Sequence, residues 1–195
     1  MERTEQNEVP LDIEDNPVVK ADVAVATEMT RYKDHPVAKA AATVGEILDQ
    51  PPLFTACGAV VAWGLVTRDR ELARLGANML ASAVLATWIK GGIKSVVARP
   101  RPNILPEVDG HEVSLMGPNE GPWNSFPSGH TAGGMAVARA IARARPELGP
   151  PAYAALAALV VARLPEGGHY PLDLLAGAVV GAVAEAAVAR VSPLT

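Results

Sequence analysis

Aromatic side chains are scarce in this sequence: three Trp, three Tyr and two Phe among 195 residues. Since 49% of the chain is nonetheless hydrophobic, its apolar content is mostly Ala, Val and Leu. That favours closely packed helices over a β-sandwich, which draws on aromatic and β-branched residues. Cysteine is nearly absent too. The single Cys57 excludes an internal disulfide and reads as a small buried apolar residue. No basic face stands out and the formal net charge is −4, so nucleic acid is not an expected partner. The opening MERTEQNEVPLDIED is acidic and lacks the apolar stretch of a cleavable signal peptide. There is no internal repeat, and the length fits one domain.

Residues 1–17 read as a disordered polar tail closed by Pro17. From 18 to 50 the pattern is amphipathic, its apolar positions interrupted by charges such as Asp22, Glu28, Lys39 and Asp49. Pro36 is expected to divide this segment into two helices, lying in a membrane interface or packed on the main bundle. After Pro51 and Pro52 the chain changes character. LFTACGAVVAWGLVT (53–67) has no charge, and LGANMLASAVLATWI (75–89), AYAALAALVVARL (152–164) and LDLLAGAVVGAVAEAAVARV (172–191) follow, with an Ala-rich helix over 130–144 between them. The expected fold is all-α: residues 51–195 form a helical bundle of five core helices, transmembrane, with the amphipathic helices added at its N-terminal side.

The case for a membrane rests on two further features, because runs of about 15–20 residues are short for a bilayer span and the mean hydropathy is only +0.17. Gly177 and Gly181 form a G-x-x-x-G pair that lets helices approach closely in lipid, a candidate homo-oligomer contact. Counting the apolar runs as spans also puts the turns at 68–74 and 143–151, both rich in Arg, on one face, as in cytoplasmic loops. The polar stretch from Arg99 to Ser128 and the loop around His169 then share the opposite face.

On that face the unusual residues collect. KSVVARPRP carries Lys94, Arg99 and Arg101; NSFPSGH carries Ser128, Gly129 and His130; ARLPEGGHYPLD carries Arg163, His169 and Asp173. Each piece alone has an ordinary explanation: a solvated helix end, a helix cap, a polar loop before the helix-opening Pro171. Together they form a set suited to phosphate. Lys94, Arg101 and Arg163 supply fixed cations, the arginines with planar bidentate donors. The helix start at Ser128–His130 supplies unpaired N–H groups and the positive end of a dipole, and Gly129 lets the backbone come close. Asp173, four residues after His169, can reach back to the imidazole and hold its tautomer, which leaves His130 to protonate a leaving oxygen.

In this order, Lys94-x6-Arg101-Pro102, Pro127-Ser128-Gly129-His130 and Arg163-x5-His169-x3-Asp173, the three motifs resemble those of the type 2 phosphatidic acid phosphatase family, which shares its site with vanadium haloperoxidases and bacterial class A acid phosphatases. The resemblance implies that His169 is the nucleophile and forms a phosphohistidine, that His130 is the general acid and Asp173 the partner of His169, and that Lys94, Arg101, Arg163, Ser128 and the Gly129 amide hold the phosphate. It implies no metal and no other cofactor, the Lys and Arg set carrying the charge. One position departs from the pattern: the third motif begins with Ser in the family and with Ala162 here, a missing hydroxyl worth about 1 kcal/mol as a net hydrogen bond. Arg99 is two residues short of the motif spacing and is left as a headgroup or outer contact.

The implied activity is hydrolysis of a lipid phosphomonoester or diphosphate, such as undecaprenyl diphosphate, phosphatidic acid, phosphatidylglycerol phosphate or a lipid A phosphate. The enzyme would sit in the inner (plasma) membrane with its site facing the periplasm or outside. A soluble or peripheral acid phosphatase, a vanadate haloperoxidase and a non-catalytic lipid-binding protein are the competing readings. Residues 103–126 are expected to form a lid in which Glu107, Asp109, Glu112 and Glu120 repel extra anions while Leu115, Met116 and Trp123 touch the lipid.

Overall fold

The computed structural model describes residues 9–107, 111–117 and 121–192. Proline sets where many of its helices begin, because a first-turn residue has no intrahelical N–H bond to lose. Pro17 opens α1 (Pro17–Thr30) and Pro36 opens α2 (Pro36–Gly45), the division expected at Pro36. Asn16 caps the first, its side-chain oxygen accepting from the Val18 N–H at 2.9 Å, and His35 Nδ1 accepts from Val37 at 3.2 Å. Both helices pack on the main bundle. The tail expected to be disordered to residue 17 needs correction: residues 1–8 lie outside the described residues, but Val9–Leu11 is a strand, β1.

The bundle has the five expected helices: α3 (Gln50–Val66), α4 (Arg70–Lys94), α5 (Gly129–Ala144), α6 (Gly149–Val161) and α7 (Pro171–Val191). Asp69 caps α4 through the Leu72 N–H. α5 packs against α4, α6 and α7, and the residues it buries are small: Thr131, Ala132, Gly133, Gly134, Ala136, Ala138 and Ala140. Cys57 is buried and free, as expected. Large apolar side chains point the other way, Trp63, Trp88, Leu175, Val179 and Val183 among them. On α7 the inversion is plain: Leu175, Val179 and Val183 face out at four-residue spacing while Gly177, Gly181 and Ala184 face in. Small inside and large outside is how helices pack in lipid. Three helical stretches, Arg70–Lys94, Pro146–Glu166 and Pro171–Val191, are long and apolar enough to cross a membrane.

The glycine pair of α7 is used within the chain. A Cβ on Gly177 would sit 2.5 Å from the Ser128 carbonyl oxygen, and one on Gly181 would overlap the Ala132 carbonyl oxygen, so the surface read as a homo-oligomer contact is the α5–α7 seam. Gly181→Ala is therefore expected to destabilise the bundle by about 1–3 kcal/mol, the usual cost of overpacking. Gly58→Ala, where a Cβ meets nothing within 4 Å, should leave it unharmed. Thermal unfolding of both variants in detergent checks the difference.

A three-stranded sheet, ordered β1-β3-β2, lies beside the helices. β2 is Val97–Ala98 and β3 is Val113–Leu115. Both pairings are antiparallel, Val9 and Val97 flanking Leu115. The stretch expected to be a lid thus contributes the central strand, and the backbone of Val113–Leu115 is paired to neighbouring strands. Asp109 and Glu120, named for that lid, lie outside the described residues; Met116 is exposed and Leu115 half-buried.

Candidate active site

Chain alternation through the bundle brings five helix ends to one side: the starts of α3, α5 and α7 and the ends of α4 and α6. Between them opens a cavity of about 330 Å³. Lys94, Arg101, Gly129, His130 and His169, all named from the sequence, line it together with Lys90 and Asp49, which were not; Leu48 and Pro51 give it an apolar edge. Ser128 and Arg163 line a smaller recess that they share with both histidines. Asp173 lies beneath, fully buried. The three sequence motifs therefore converge.

The two imidazoles face each other edge to face, ring centroids 6.2 Å apart and planes at 70°. His169 Nδ1 is 2.8 Å from the Ser125 carbonyl oxygen. A carbonyl only accepts, so Nδ1 carries the proton and Nε2 keeps the lone pair in the neutral ring. The partner anticipated for this nitrogen was Asp173, whose nearer oxygen lies at 3.8 Å, beyond hydrogen-bond range. The carboxylate is engaged elsewhere, accepting from the Tyr170 N–H at 2.8 Å and from Arg99 at 2.7 Å. The backbone of Ser125 fixes the tautomer, and Asp173 adds a negative charge behind the ring.

Ser128 opens α5 as its cap. Its hydroxyl oxygen accepts from the Thr131 N–H at 3.4 Å and is 3.1 Å from the Thr131 hydroxyl, while its own N–H donates to the Asp173 carbonyl at 3.0 Å. Gly129 leaves room for the Lys90 side chain: a Cβ there would come 3.1 Å from Lys90 Cδ. Lys94 Nζ donates to the Asn124 carbonyl and side-chain oxygens at 2.6 and 2.7 Å, which aims the ammonium without neutralising it. Arg163 donates from Nε to Glu166 at 3.0 Å and passes over Gly45, where a Cβ would lie 2.6 Å from its Cδ. Arg101 Nε and Arg163 Nη1 are buried with no hydrogen-bond partner among the described residues. Buried guanidinium donors left unpaired beside a cavity suit an oxyanion. Among the described residues no three His, Cys, Asp or Glu side chains gather as a metal site.

The sequence reading of Arg99 as an outer contact is wrong. Its side chain is 5% exposed and joins two buried carboxylates, Asp173 at 2.7 Å and Asp22 of α1 at 2.6 Å. It also donates from Nε to His111 Nε2 at 3.0 Å and lies over the Tyr170 ring at 3.8 Å. Burial and the neighbouring Arg99 charge hold the His111 pKa down at about 4, so this ring is a neutral acceptor. Asp22 further accepts from the Leu172 N–H at 2.8 Å, tying α1 to the first turn of α7. A trace of this was visible: Asp22 precedes Ala26 by four residues, and these two are the buried positions of α1, a charge set on an apolar stripe. His111 and Lys90 gave no such sign.

A family model described as the PAP2 superfamily matches residues 75–194. No curated protein sequence matches the chain. Among solved structures, Aquifex aeolicus LpxE is similar with a TM-score of 0.62 at 18% identity, over 92% of this chain and 99% of that one. A transmembrane PAP2-type phosphatidylglycerolphosphate phosphatase from Bacillus subtilis gives 0.59 at 19% identity, over 92% and 88%. At such identities the likeness is one of fold. The family match spans more than half of the sequence, and the chain belongs to the PAP2 superfamily: it is a helical membrane protein and an enzyme of the phosphatase kind.

Proposed function

We propose that the enzyme hydrolyses a lipid phosphomonoester or diphosphate through a phosphohistidine, without a metal. The observation that carries this reading is the pair of imidazoles 6.2 Å apart at a cavity lined by Lys90, Lys94 and Arg101. His169 Nε2 attacks phosphorus as the bond to the leaving oxygen breaks, and His130 gives that oxygen a proton. Water then attacks the phosphorus–nitrogen bond, passing a proton back to His130, and His169 and inorganic phosphate are released. Lys94, Arg101, Arg163, Ser128 and the Gly129 amide hold the phosphoryl oxygens and offset the charge that develops on them. The Asp173 charge, behind the ring, stabilises the cation that forms on His169.

A lipid substrate is supported by where the cavity lies, at one end of a bundle whose outer surface is apolar. The Arg-rich turns, Arg68, Arg70 and Arg74 at one and Arg143 and Arg145 at the other, lie at the opposite end. By the positive-inside rule the site then faces out of the cytoplasm from the inner membrane. Phosphatidylglycerol phosphate, phosphatidic acid, undecaprenyl diphosphate and lipid A phosphates are the substrates to test.

Full-length protein in detergent should release phosphate from at least one of these with a chelator present. A strict need for Mg²⁺, or release from none of the panel, contradicts the reading. His130→Ala should slow turnover of a lipid ester by about 10²–10⁴-fold, the range for a general acid. The loss should be much smaller for p-nitrophenyl phosphate, whose leaving group departs without a proton. Equal losses on both substrates would give His130 a different role.

A further inference from the structure

Asp49 stands at the residue before α3, where a helix cap would be, yet its side chain makes no cap bond. The reason is in the sequence. A capping carboxylate accepts from the second or third N–H of the helix, and here those positions are Pro51 and Pro52, which have none. The backbone is still held, the Asp49 carbonyl accepting from Leu53 at 2.9 Å. With no cap to make, the carboxylate turns into the cavity and hydrogen-bonds His130 Nε2, a contact spanning 81 residues of chain. Asp49 precedes the stretch matched by the family model, 75–194.

The setting shows what the contact does. Lys90 and Lys94 from α4, Arg101 from the loop after it and His169 before α7 line the same cavity as His130, and among the described residues Asp49 is the one acidic side chain of that lining. Arg163, at the end of α6, faces His130 in the smaller recess. Burial, the Arg163 charge and the neighbouring His169 together hold the His130 pKa below the ordinary histidine value, and the Asp49 carboxylate opposes that shift. A general acid must hold its proton at the working pH, and a pocket built of cations works against that.

We infer that Asp49 is a positioning residue that orients His130 and strengthens its hold on the proton it delivers as the acid. This rests on the phosphatase reading above for its catalytic consequence, and on the contact itself for the rest. Before substrate binds, His130 Nε2–H donates to the carboxylate. When the leaving oxygen takes the P–O electron pair it also takes this proton, and the ring is left neutral beside Asp49. The segment 18–50 thereby completes the active site in addition to packing against the bundle.

Two measurements on the full chain in detergent decide it. The first follows the four histidines by NMR with labelled imidazoles, His130 being assigned by its loss in His130→Gln. Asp49→Asn should lower the His130 midpoint by about one pH unit, because removing an adjacent carboxylate disfavours the charged ring; Asp49→Glu should restore it. A midpoint that does not move overturns the inference. The second is the pH profile of kcat/KM. In Asp49→Asn its alkaline limb, which reports loss of the acid, should move to lower pH. Turnover of a lipid ester should fall about 10–100-fold with KM held, while p-nitrophenyl phosphate changes less than about threefold. An unmoved limb, or equal losses on both substrates, also overturns it. A wild-type protein inactive on every phosphoester refutes the phosphatase reading instead, and the NMR titration still decides the Asp49–His130 pairing.

Discussion

His169→Ala is expected to lower kcat for a lipid phosphate by about 10⁴-fold or more, the scale seen when a covalent nucleophile is removed. The loss should not depend on the leaving group, because without the attacking imidazole no phosphoenzyme bond forms for any ester. That sets it apart from His130→Ala. The fold should survive: the His169 side chain borders the cavity at 17% exposure and its Nδ1 bonds to the Ser125 carbonyl, so thermal unfolding in detergent should move by no more than a few degrees. Acid quenching of wild type after mixing with labelled substrate would destroy a phosphohistidine, whereas an alkaline quench should retain label on the protein. His169→Ala should retain none. Label trapped in that variant, or wild-type turnover in it, would remove His169 from the role of nucleophile.

Arg99→Met is the second large effect, and it is on stability before it is on catalysis. Arg99 joins Asp22 and Asp173, whose side chains are 2% and 0% exposed. Deleting the cation leaves two carboxylates in a dry site with no compensating charge, which costs about 3–5 kcal/mol for one broken buried pair. Asp173 accepts from the Tyr170 N–H and Asp22 from the Leu172 N–H, so the start of α7 and the docking of α1 go with it. A large drop in the unfolding midpoint and loss of activity are expected together. Adding Asp22→Asn should recover part of the midpoint, since one of the stranded charges is then gone. Arg101→Met is the contrast: its Nε has no partner among the described residues, so activity should fall with the midpoint nearly held. If Arg99→Met melted like wild type, the buried network would not hold the site.

Much of this chain could be read in order along its length, because the signals are local. Proline and glycine mark the helix starts whatever lies around them, and Pro36 separates α1 from α2 as read. The five core helices follow from long apolar stretches broken by polar turns. The strands were missed for the same reason. At two or three residues each, β1, β2 and β3 are too short to show an alternating pattern, and they exist only because segments far apart in sequence meet. Motif spacing named eight residues for one site, and the fold brings all eight to the same end of the bundle.

The division between the two Arg-Pro pairs shows where spacing stops being informative. Arg99 and Arg101 are two residues apart with the same side chain, and local sequence gives both the same flexible, charged reach. One ends up buried in an ion cluster and the other beside the cavity, because Asp22 and Asp173 arrive from 77 and 74 residues away. Asp49 and His130 meet across a comparable separation. By itself the sequence determined the helices, their breaks and which residues are candidates for a phosphate site, since propensity, periodicity and motif order act between near neighbours. Only the tertiary structure decided which cation meets which carboxylate, which face of α7 is covered and which N-terminal acid reaches the site, since burial and charge pairing depend on what packs alongside.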